Sequence, residues 1–318
     1  MTGMHAAPSP PGTENREQGL QMKDHHWRRQ LESYDFHCAI EPRYADMDAE
    51  RHINNVAVQA LHAEALMRFQ MHAGSGWNPE GALLHPLQSE VHFLKVTHYP
   101  EPVRCGVRLL AIDENGFRLA SAVFQGGSCT SIQETLALPW LQARRAAPEG
   151  MSGQVARLLH PAEEAAPETL ESDAGMACPY RYRMTFRFGD LDADRCVSTL
   201  ALARLVEQGR VHLLHQAIAA SGIDLRAEAL GLLVAKITIR YLARREAVGD
   251  GRLRARLIKL GNASIVLRIV VSDQHGDLAY ADNVMLFADR ATTRPVPVPA
   301  PVRAWLAASP AAEEQGGA

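Results

Sequence analysis

One stretch of this chain occurs twice, and the second copy has lost part of what the first retains. Residues 43–55 read Arg-Tyr-Ala-Asp-Met-Asp-Ala-Glu-Arg-His-Ile-Asn-Asn, and residues 187–199 read Arg-Phe-Gly-Asp-Leu-Asp-Ala-Asp-Arg-Cys-Val-Ser-Thr. Arg43, Asp46, Asp48, Ala49 and Arg51 recur 144 positions later, without a gap, as Arg187, Asp190, Asp192, Ala193 and Arg195. His52 has become Cys196, and Asn54-Asn55 has become Ser198-Thr199. One duplicated unit therefore supplies most of the chain, which constrains the fold to two like halves. The substitutions say that the halves have divided their labour.

The order of events around each motif is the same. A short alternating segment (Phe36 to Tyr44, then Tyr180 to Phe188) precedes it and reads as a strand. A helix of about five turns follows. Val58, Leu61, Ala65 and Phe69 fall on one face of the first helix, and Leu202, Leu205, Val206, Gly209 and Leu213 on one face of the second. Gly74, Gly76 and Gly222 break the helices. Four β-rich runs come next in each copy: Val91–Val96, Val103–Ile112, Phe117–Phe124 and Ile132–Leu138, then Leu233–Leu242, Arg252–Leu260, Ser264–Ser272 and Ala279–Phe287. Asn115-Gly116 is a hairpin signal in the first set, and Gly261-Asn262 and His275-Gly276 are turns in the second. One helix followed by four consecutive strands predicts an α+β fold, with an antiparallel sheet packed on the helix. No glycine-rich loop follows a strand, so a nucleotide-binding architecture has no support.

These patterns divide the chain into a loose N-terminal tail (1–33), a first domain (34–141), a linker rich in Ala, Glu, Pro and Gly (142–178), a second domain (179–292) and a Pro/Ala-rich C-terminal tail (293–318). The prolines of the last segment bar it from a central strand. A formal net charge of −3 with no Lys/Arg block gives no nucleic-acid footprint. No apolar run reaches the ~18–20 residues of a membrane span, and the first thirty residues lack the apolar stretch of a secretory signal. Five scattered cysteines without a CxxC pair fit reduced thiols, and so a cytoplasmic protein, better than disulfides or a zinc site.

Strand, Asp-x-Asp-x3-His-x-Asn-Asn, long helix and four strands together resemble the thioesterase branch of the hotdog fold. Asp46, Asp48, His52, Asn54 and Asn55 carry the resemblance in the first half. Phe188-Gly-Asp190-x-Asp192 and Glu207-x-x-Arg210 carry it in the second. The resemblance implies two tandem hotdog domains, each a long central helix wrapped by an antiparallel sheet, joined as a covalent pseudo-dimer. The plant acyl-ACP thioesterases and double-hotdog acyl-CoA thioesterases are similar, as are the 4-hydroxybenzoyl-CoA thioesterase-like proteins. It implies hydrolysis of an acyl-CoA or acyl-carrier-protein thioester, with no cofactor, and it allows pseudo-dimers to associate into homo-oligomers.

Thioester hydrolysis needs an activated water or a carboxylate nucleophile, and donors for the oxyanion. The resemblance assigns the carboxylate to Asp48. His52 would orient the carbonyl or hold a proton near neutral pH. Backbone amides at the start of the following helix, around Asn55 to Ala57, would receive the oxyanion. Asn54 and Asn55 serve equally well as helix caps, a role Ser198-Thr199 can also fill. Asp46 and Asp190 can favour the helix N-terminus electrostatically. Glu64 is either a helix-borne base or the partner of Arg68 four residues on. Glu50 stands where the plant enzymes carry an asparagine, so a role that depends on that amide does not transfer; an exposed loop charge is the simpler reading.

In the second copy Asp192 holds the carboxylate position without a histidine. It is either a second catalytic site or part of the first one's pocket. Cys196 near a helix N-terminus would have a lowered thiol pKa. His212 and His215 lack a partner motif for metal. Lys236, Arg240, Arg244 and Arg245 either meet the phosphates of a CoA or line an exposed face. Two rivals remain: a hotdog hydratase, whose Asp-x-Asn-Pro-x-His spacing this chain lacks, and a non-catalytic acyl-thioester binder.

Overall fold

The structure is a computed structural model that describes residues 26–75, 83–113, 116–140 and 178–308. The first repeat runs β1 (Phe36–Ile40), α1 (Asn55–Gln70), β2 (Leu83–Phe93), β3 (Val103–Asp113), β4 (Gly116–Gln125) and β5 (Ser128–Trp140). The second runs β6 (Tyr180–Phe186), α2 (Thr199–Ser221), β7 (Leu230–Tyr241), β8 (Gly249–Leu260), β9 (Ser264–Asp273) and β10 (Gly276–Asp289), and a short α3 (Ala300–Ala307) follows. All ten strands form one antiparallel sheet in the order β1-β3-β4-β5-β2-β7-β10-β9-β8-β6. The order is a palindrome of the two repeats. Its centre is the β2–β7 seam, where Glu90 stands opposite Thr238, flanked by Ser89–Ile239 and Val91–Ile237. A pseudo-twofold axis passes through that central pair, so Ser89 corresponds to Ile237 and Val91 to Ile239.

Each helix packs its apolar stripe onto its own half of the sheet. Leu61, Ala65 and Phe69 of α1 meet Val103, Val107, Leu109 and Leu119. Leu202, Val206 and Leu213 of α2 meet Leu253, Ile265, Leu267 and Ile269. Burial of this kind contributes about 1.5–3 kcal/mol per large side chain. Gly209 is the closest point of α2 to the sheet: a Cβ there would lie 2.7 Å from a methyl of Ile269. Gly222 ends α2 at φ 68°, a conformation glycine adopts without steric cost.

Several expected boundaries move. β1 stops at Ile40 and β6 at Phe186, because the chain turns into a 3₁₀ turn at Tyr44–Asp46 and at Phe188–Asp190. β2 begins at Leu83, well before Val91, and a bulge between Pro86 and Gln88 accommodates its proline. α1 has 16 residues and α2 has 23, so the two helices are unequal. Gly116 closes the β3–β4 hairpin at φ 125°, while Asn115 and Gly76 lie outside the described residues.

Both tails are less loose than the composition suggests. Residues 26–33 form two 3₁₀ turns on the outer face of the first repeat. Arg28 is buried there against Glu134 (2.8 Å), which Arg118 also holds (2.8 Å), and the Tyr34 hydroxyl donates to the Arg28 carbonyl (2.8 Å). A long-range ion cluster thus anchors a locally polar segment. After Thr293, Val298, Val302 and Leu306 join the core of the second repeat, and Trp305 stacks on Tyr180 at 5.6 Å. Residues 1–25, most of the linker (142–177) and residues 309–318 lie outside the described residues. Among the described residues, no helix is long and apolar enough to cross a membrane.

Candidate active site

The two motif loops fold alike. The amides of Glu50 (2.9 Å) and His52 (3.1 Å) donate to Asp48 Oδ1, and those of Asp194 (3.0 Å) and Cys196 (3.1 Å) donate to Asp192 Oδ1. Arg51 (φ 64°) and Arg195 (φ 61°) occupy the left-handed region at the same point of each loop, at a cost of roughly 1–2 kcal/mol each. The loop register is fixed at its exit too: Ile53 N donates to the Thr97 carbonyl, and Val197 N to that of Arg245. The Asp46 and Asp190 carboxylates have local partners of their own. They accept from the amides of Arg43 and Arg187, closing the 3₁₀ turns, and Asp46 also holds the Arg43 guanidinium. Burial opposes ionisation of Asp46, yet the Arg43 contacts keep its pKa below the usual carboxylate range. Asn54 caps α1 by accepting from Val56 N (2.7 Å), and Ser198 caps α2 by accepting from Ala201 N (3.0 Å).

The loops differ in what surrounds them. A cavity of about 270 Å³ lies between the repeats, and the second motif forms one wall of it through Asp192, Asp194, Ser198 and Thr199. The opposite wall comes from the first repeat: Gln59, Ala63, Leu66 and Met67 of α1, and Leu119, Gln133, Thr135 and Ala137 of β4 and β5. Arg244 bridges the two acids, with Nη1 2.8 Å from Asp192 Oδ2 and Nη2 2.5 Å from Asp194 Oδ2. His85 of β2 brings Nε2 to 3.3 Å from Asp194 Oδ2. Burial first, then Arg244, pushes the His85 pKa down to about 4, so the ring is neutral at pH 7. The amides of Thr199 and Leu200 open α2 beside Asp192 and have no upstream carbonyl in the helix to pair with. A carboxylate, the first amides of a helix and an apolar recess meet at this junction.

Of the candidate catalytic residues Asp48, His52, Asn54, Asn55, Glu64 and Asp192, only Asp192 is on the cavity lining among the described residues. Asp48 and His52 share the first loop, where the His52 ring packs edge-on against His98 at 5.3 Å. Asn54 donates from Nδ2 to Glu207 Oε1 (3.1 Å), and the Asn55 carbonyl accepts from Gln59 (3.4 Å). Glu64 is exposed and bonds Arg68 Nε at 2.7 Å, the helix-pair reading rather than the catalytic one. Glu50 is likewise exposed and pairs with Arg290. Cys196 departs from expectation: burial pushes its thiol pKa up, with Arg244 offsetting that in part, and Sγ donates to the Asp194 carbonyl at 3.6 Å. Among the basic residues considered for phosphate, Lys236 is held by Glu90 (3.1 Å), Arg245 by Asp273 (2.6 Å) and Arg244 by the motif acids. His85 escapes the sequence reading, and Arg244, considered there for a phosphate or an exposed face, pairs instead with the motif acids. Arg244 has a detectable signal, since the position corresponding to it in the first repeat is Val96; His85 belongs to no motif.

Residues 186–306 match the family model of the thioesterase-like superfamily. The second repeat is a thioesterase-like domain. Solved structures extend the fold to both repeats. The 12:0-ACP thioesterase from Umbellularia californica superposes with a TM-score of 0.62 at 14% identity, over 79% of this chain and 94% of that one. An acyl-ACP thioesterase from Bacteroides thetaiotaomicron gives 0.57 at 9% identity, over 79% and 97%. No curated protein matches the sequence significantly. The chain is thus a tandem hotdog protein, and the cavity lies where its thioesterase-like second repeat meets the first.

Proposed function

We propose that this protein hydrolyses an acyl thioester, carried on coenzyme A or an acyl carrier protein, at the junction cavity, with Asp192 as the working carboxylate. The observation that carries this is the position of Asp192 on the wall of an apolar recess beside the free amides of α2. Backbone donors fix Oδ1, and Oδ2 stands against Arg244. A thioester carbonyl placed at the Thr199 and Leu200 amides would have its developing oxyanion received by them. Asp192 takes a proton from water, the resulting hydroxide oxygen bonds to the carbonyl carbon, and the C–S bond breaks to release thiolate and acid. Direct attack by the carboxylate, with later hydrolysis of the anhydride, uses the same atoms. Five free cysteines suit a reducing compartment, and we place the protein in the cytoplasm and in fatty-acid metabolism.

A specific observation favours a second reading, in which Asp48 and His52 carry the chemistry. Asp48 Oδ2 has no partner among the described residues, whereas Arg244 holds the matching oxygen of Asp192. Thiol release from short, long and aromatic acyl-CoAs decides between them, comparing wild type with Asp48→Asn and Asp192→Asn. Asparagine retains the acceptor that the loop amides need. We expect Asp192→Asn to lose 10²–10⁴-fold in kcat and Asp48→Asn to stay within a few-fold. The reverse pattern would move the site to the first repeat. Tight binding of acyl-CoA with no turnover by wild type would make the protein a binder.

A further inference from the structure

The inner wall of the cavity is not uniformly apolar. Moving from the seam into the first repeat, Ser89 and Tyr241 come first, then Thr135, which stands opposite Ser89 in the β2–β5 register, then Gln133. Ser89, Thr135 and Gln133 are buried. A hydroxyl or amide buried without a partner costs about 1–3 kcal/mol, and these groups satisfy one another only in part. Gln133 Nε2 donates to Thr135 Oγ1 (3.0 Å), and the hydroxyls of Ser89 and Tyr241 share one bond (3.3 Å). The other end of the Gln133 amide, the Thr135 hydroxyl hydrogen and one hydrogen of the Ser89–Tyr241 pair have no protein partner among the described residues.

The fold does not require this polarity. By the pseudo-twofold, Gln133 corresponds to Ala281, Ser89 to Ile237 and Tyr241 to Phe93. Thr135 corresponds to Asn283, which Arg210 holds at 3.3 Å. The polar wall belongs to the side that has the cavity.

We infer that the cavity selects an aliphatic acyl chain bearing a hydroxyl group, received by Thr135, Gln133 and the Ser89–Tyr241 pair; this rests on the thioester reading above. A hydroxyl both donates and accepts, as does this wall. A carboxylate would want a cation, and Arg244, the cation on the lining, is held by two aspartates. Leu66, Met67, Leu84 and Leu119 supply the large apolar side chains of the lining, and its rings are limited to Tyr241 and His85 among the described residues, which suits an alkyl chain. At ~30 Å³ per water-sized group, the volume takes on the order of ten non-hydrogen atoms, the size of a hydroxyoctanoyl group.

The test compares kcat/KM for octanoyl-CoA with 3-, 5- and 8-hydroxyoctanoyl-CoA. We expect at least one hydroxy isomer to exceed octanoyl-CoA about ten-fold or more, since sites built to bond a hydroxyl discriminate strongly against its absence. Thr135→Val and Ser89→Ala should each bring that ratio toward one. Equal or better turnover of octanoyl-CoA than of all three isomers overturns the inference, as does a preference that survives in both variants. Calorimetric Kd values for the same four thioesters are measured on Asp48→Asn/Asp192→Asn, and on wild type if it turns none over. Absent turnover removes the hydrolysis reading alone. The Kd ratio then decides the inference, upheld by a ten-fold preference for a hydroxy isomer and overturned by parity.

Discussion

Where the first motif loop meets α2, a polar plug occupies the space: Asn54 donates to Glu207 (3.1 Å), Arg210 donates to Glu207 (3.2 Å), and Arg210 also donates to Asn283 (3.3 Å). Where the second motif loop meets α1, the positions corresponding to Asn54, Glu207, Arg210 and Asn283 are Ser198, Ala63, Leu66 and Thr135, and all four line the cavity. Two clefts related by one axis have thus gone opposite ways, one filled by an ionic network and the other left open with an apolar wall. The difference teaches that loop sequence and pocket need not travel together in a duplicated fold. The better-preserved motif faces the plug, and the eroded one faces the recess. A pocket between repeats is built half from each, so erosion in one motif says little about the cavity beside it.

The largest expected effect separates the clefts catalytically, through the loss in kcat of Asp192→Asn against the near-silence of Asp48→Asn. The next concerns the plug itself. Arg210 is buried, and burial lowers its pKa while Glu207 resists that shift. Arg210→Leu gives this position the residue found at the corresponding place in the first repeat. It leaves Asn283 buried beside a missing donor and Glu207 without its cation. We expect a loss on the order of 3 kcal/mol in denaturant unfolding, with kcat at the Asp192 cleft within two-fold of wild type. Unchanged stability would show that the plug is not holding the first cleft shut, and a collapse of kcat would show that the clefts are coupled.

The seam that joins the halves gives a smaller effect. Burial works against ionisation of Glu90, but a hydrogen bond from His92 (2.7 Å) and the Lys236 ammonium (3.1 Å) outweigh it and hold the carboxyl at about 2. Because the folded pKa lies below the unfolded value of 4.5, the stabilisation is complete above pH 4.5 and disappears as pH falls toward 2. Glu90→Gln should cost roughly 2 kcal/mol at pH 7 and flatten the acid limb of the stability curve over that window. An acid limb identical to wild type would mean that the seam is held by its backbone ladder and apolar pairs alone.

Much of this architecture was legible in the sequence, because periodicity and duplication act locally. The stripe Val58, Leu61, Ala65 and Phe69 is buried as read, and so is the longer one from Leu202 to Leu213. The two motif loops share one hydrogen-bond pattern, as their shared residues suggested. What stayed hidden depends on long-range pairing. His85 reaches Asp194 only because β2 pairs with β7, and Arg28 is buried only because Glu134 lies beneath it. The bulge at Pro86 near the start of β2 cannot be seen from one strand, since it is defined by the pairing with β5. The site followed the same rule. A motif locates a carboxylate, while the cavity beside it depends on which helix of the other repeat carries Leu66 and which carries Arg210.

The smallest effect lies in the two cores. His62 of α1 is fully buried between the hydroxyls of Ser121 (2.8 Å) and Ser131 (2.9 Å), where the second repeat places Val206, Ile269 and Ala279. Burial pushes the His62 pKa down to about 3, so the folded ring stays neutral well below pH 6.5 while the unfolded ring takes up a proton. The unfolded state then binds more protons, and stability falls with pH from about 6.5 toward 3, by at most about 1.4 kcal/mol per pH unit for this one group. The second core has no histidine at the matching position and contributes nothing of this kind. His62→Gln keeps a donor and an acceptor for the two serines and cannot titrate. Its unfolding free energy should lose one proton's worth of slope between pH 6.5 and 4, at a modest cost at pH 7. A slope equal to that of wild type would mean that the buried ring is not the source of acid sensitivity in the first core, and the polarity contrast between the cores would then have no thermodynamic signature.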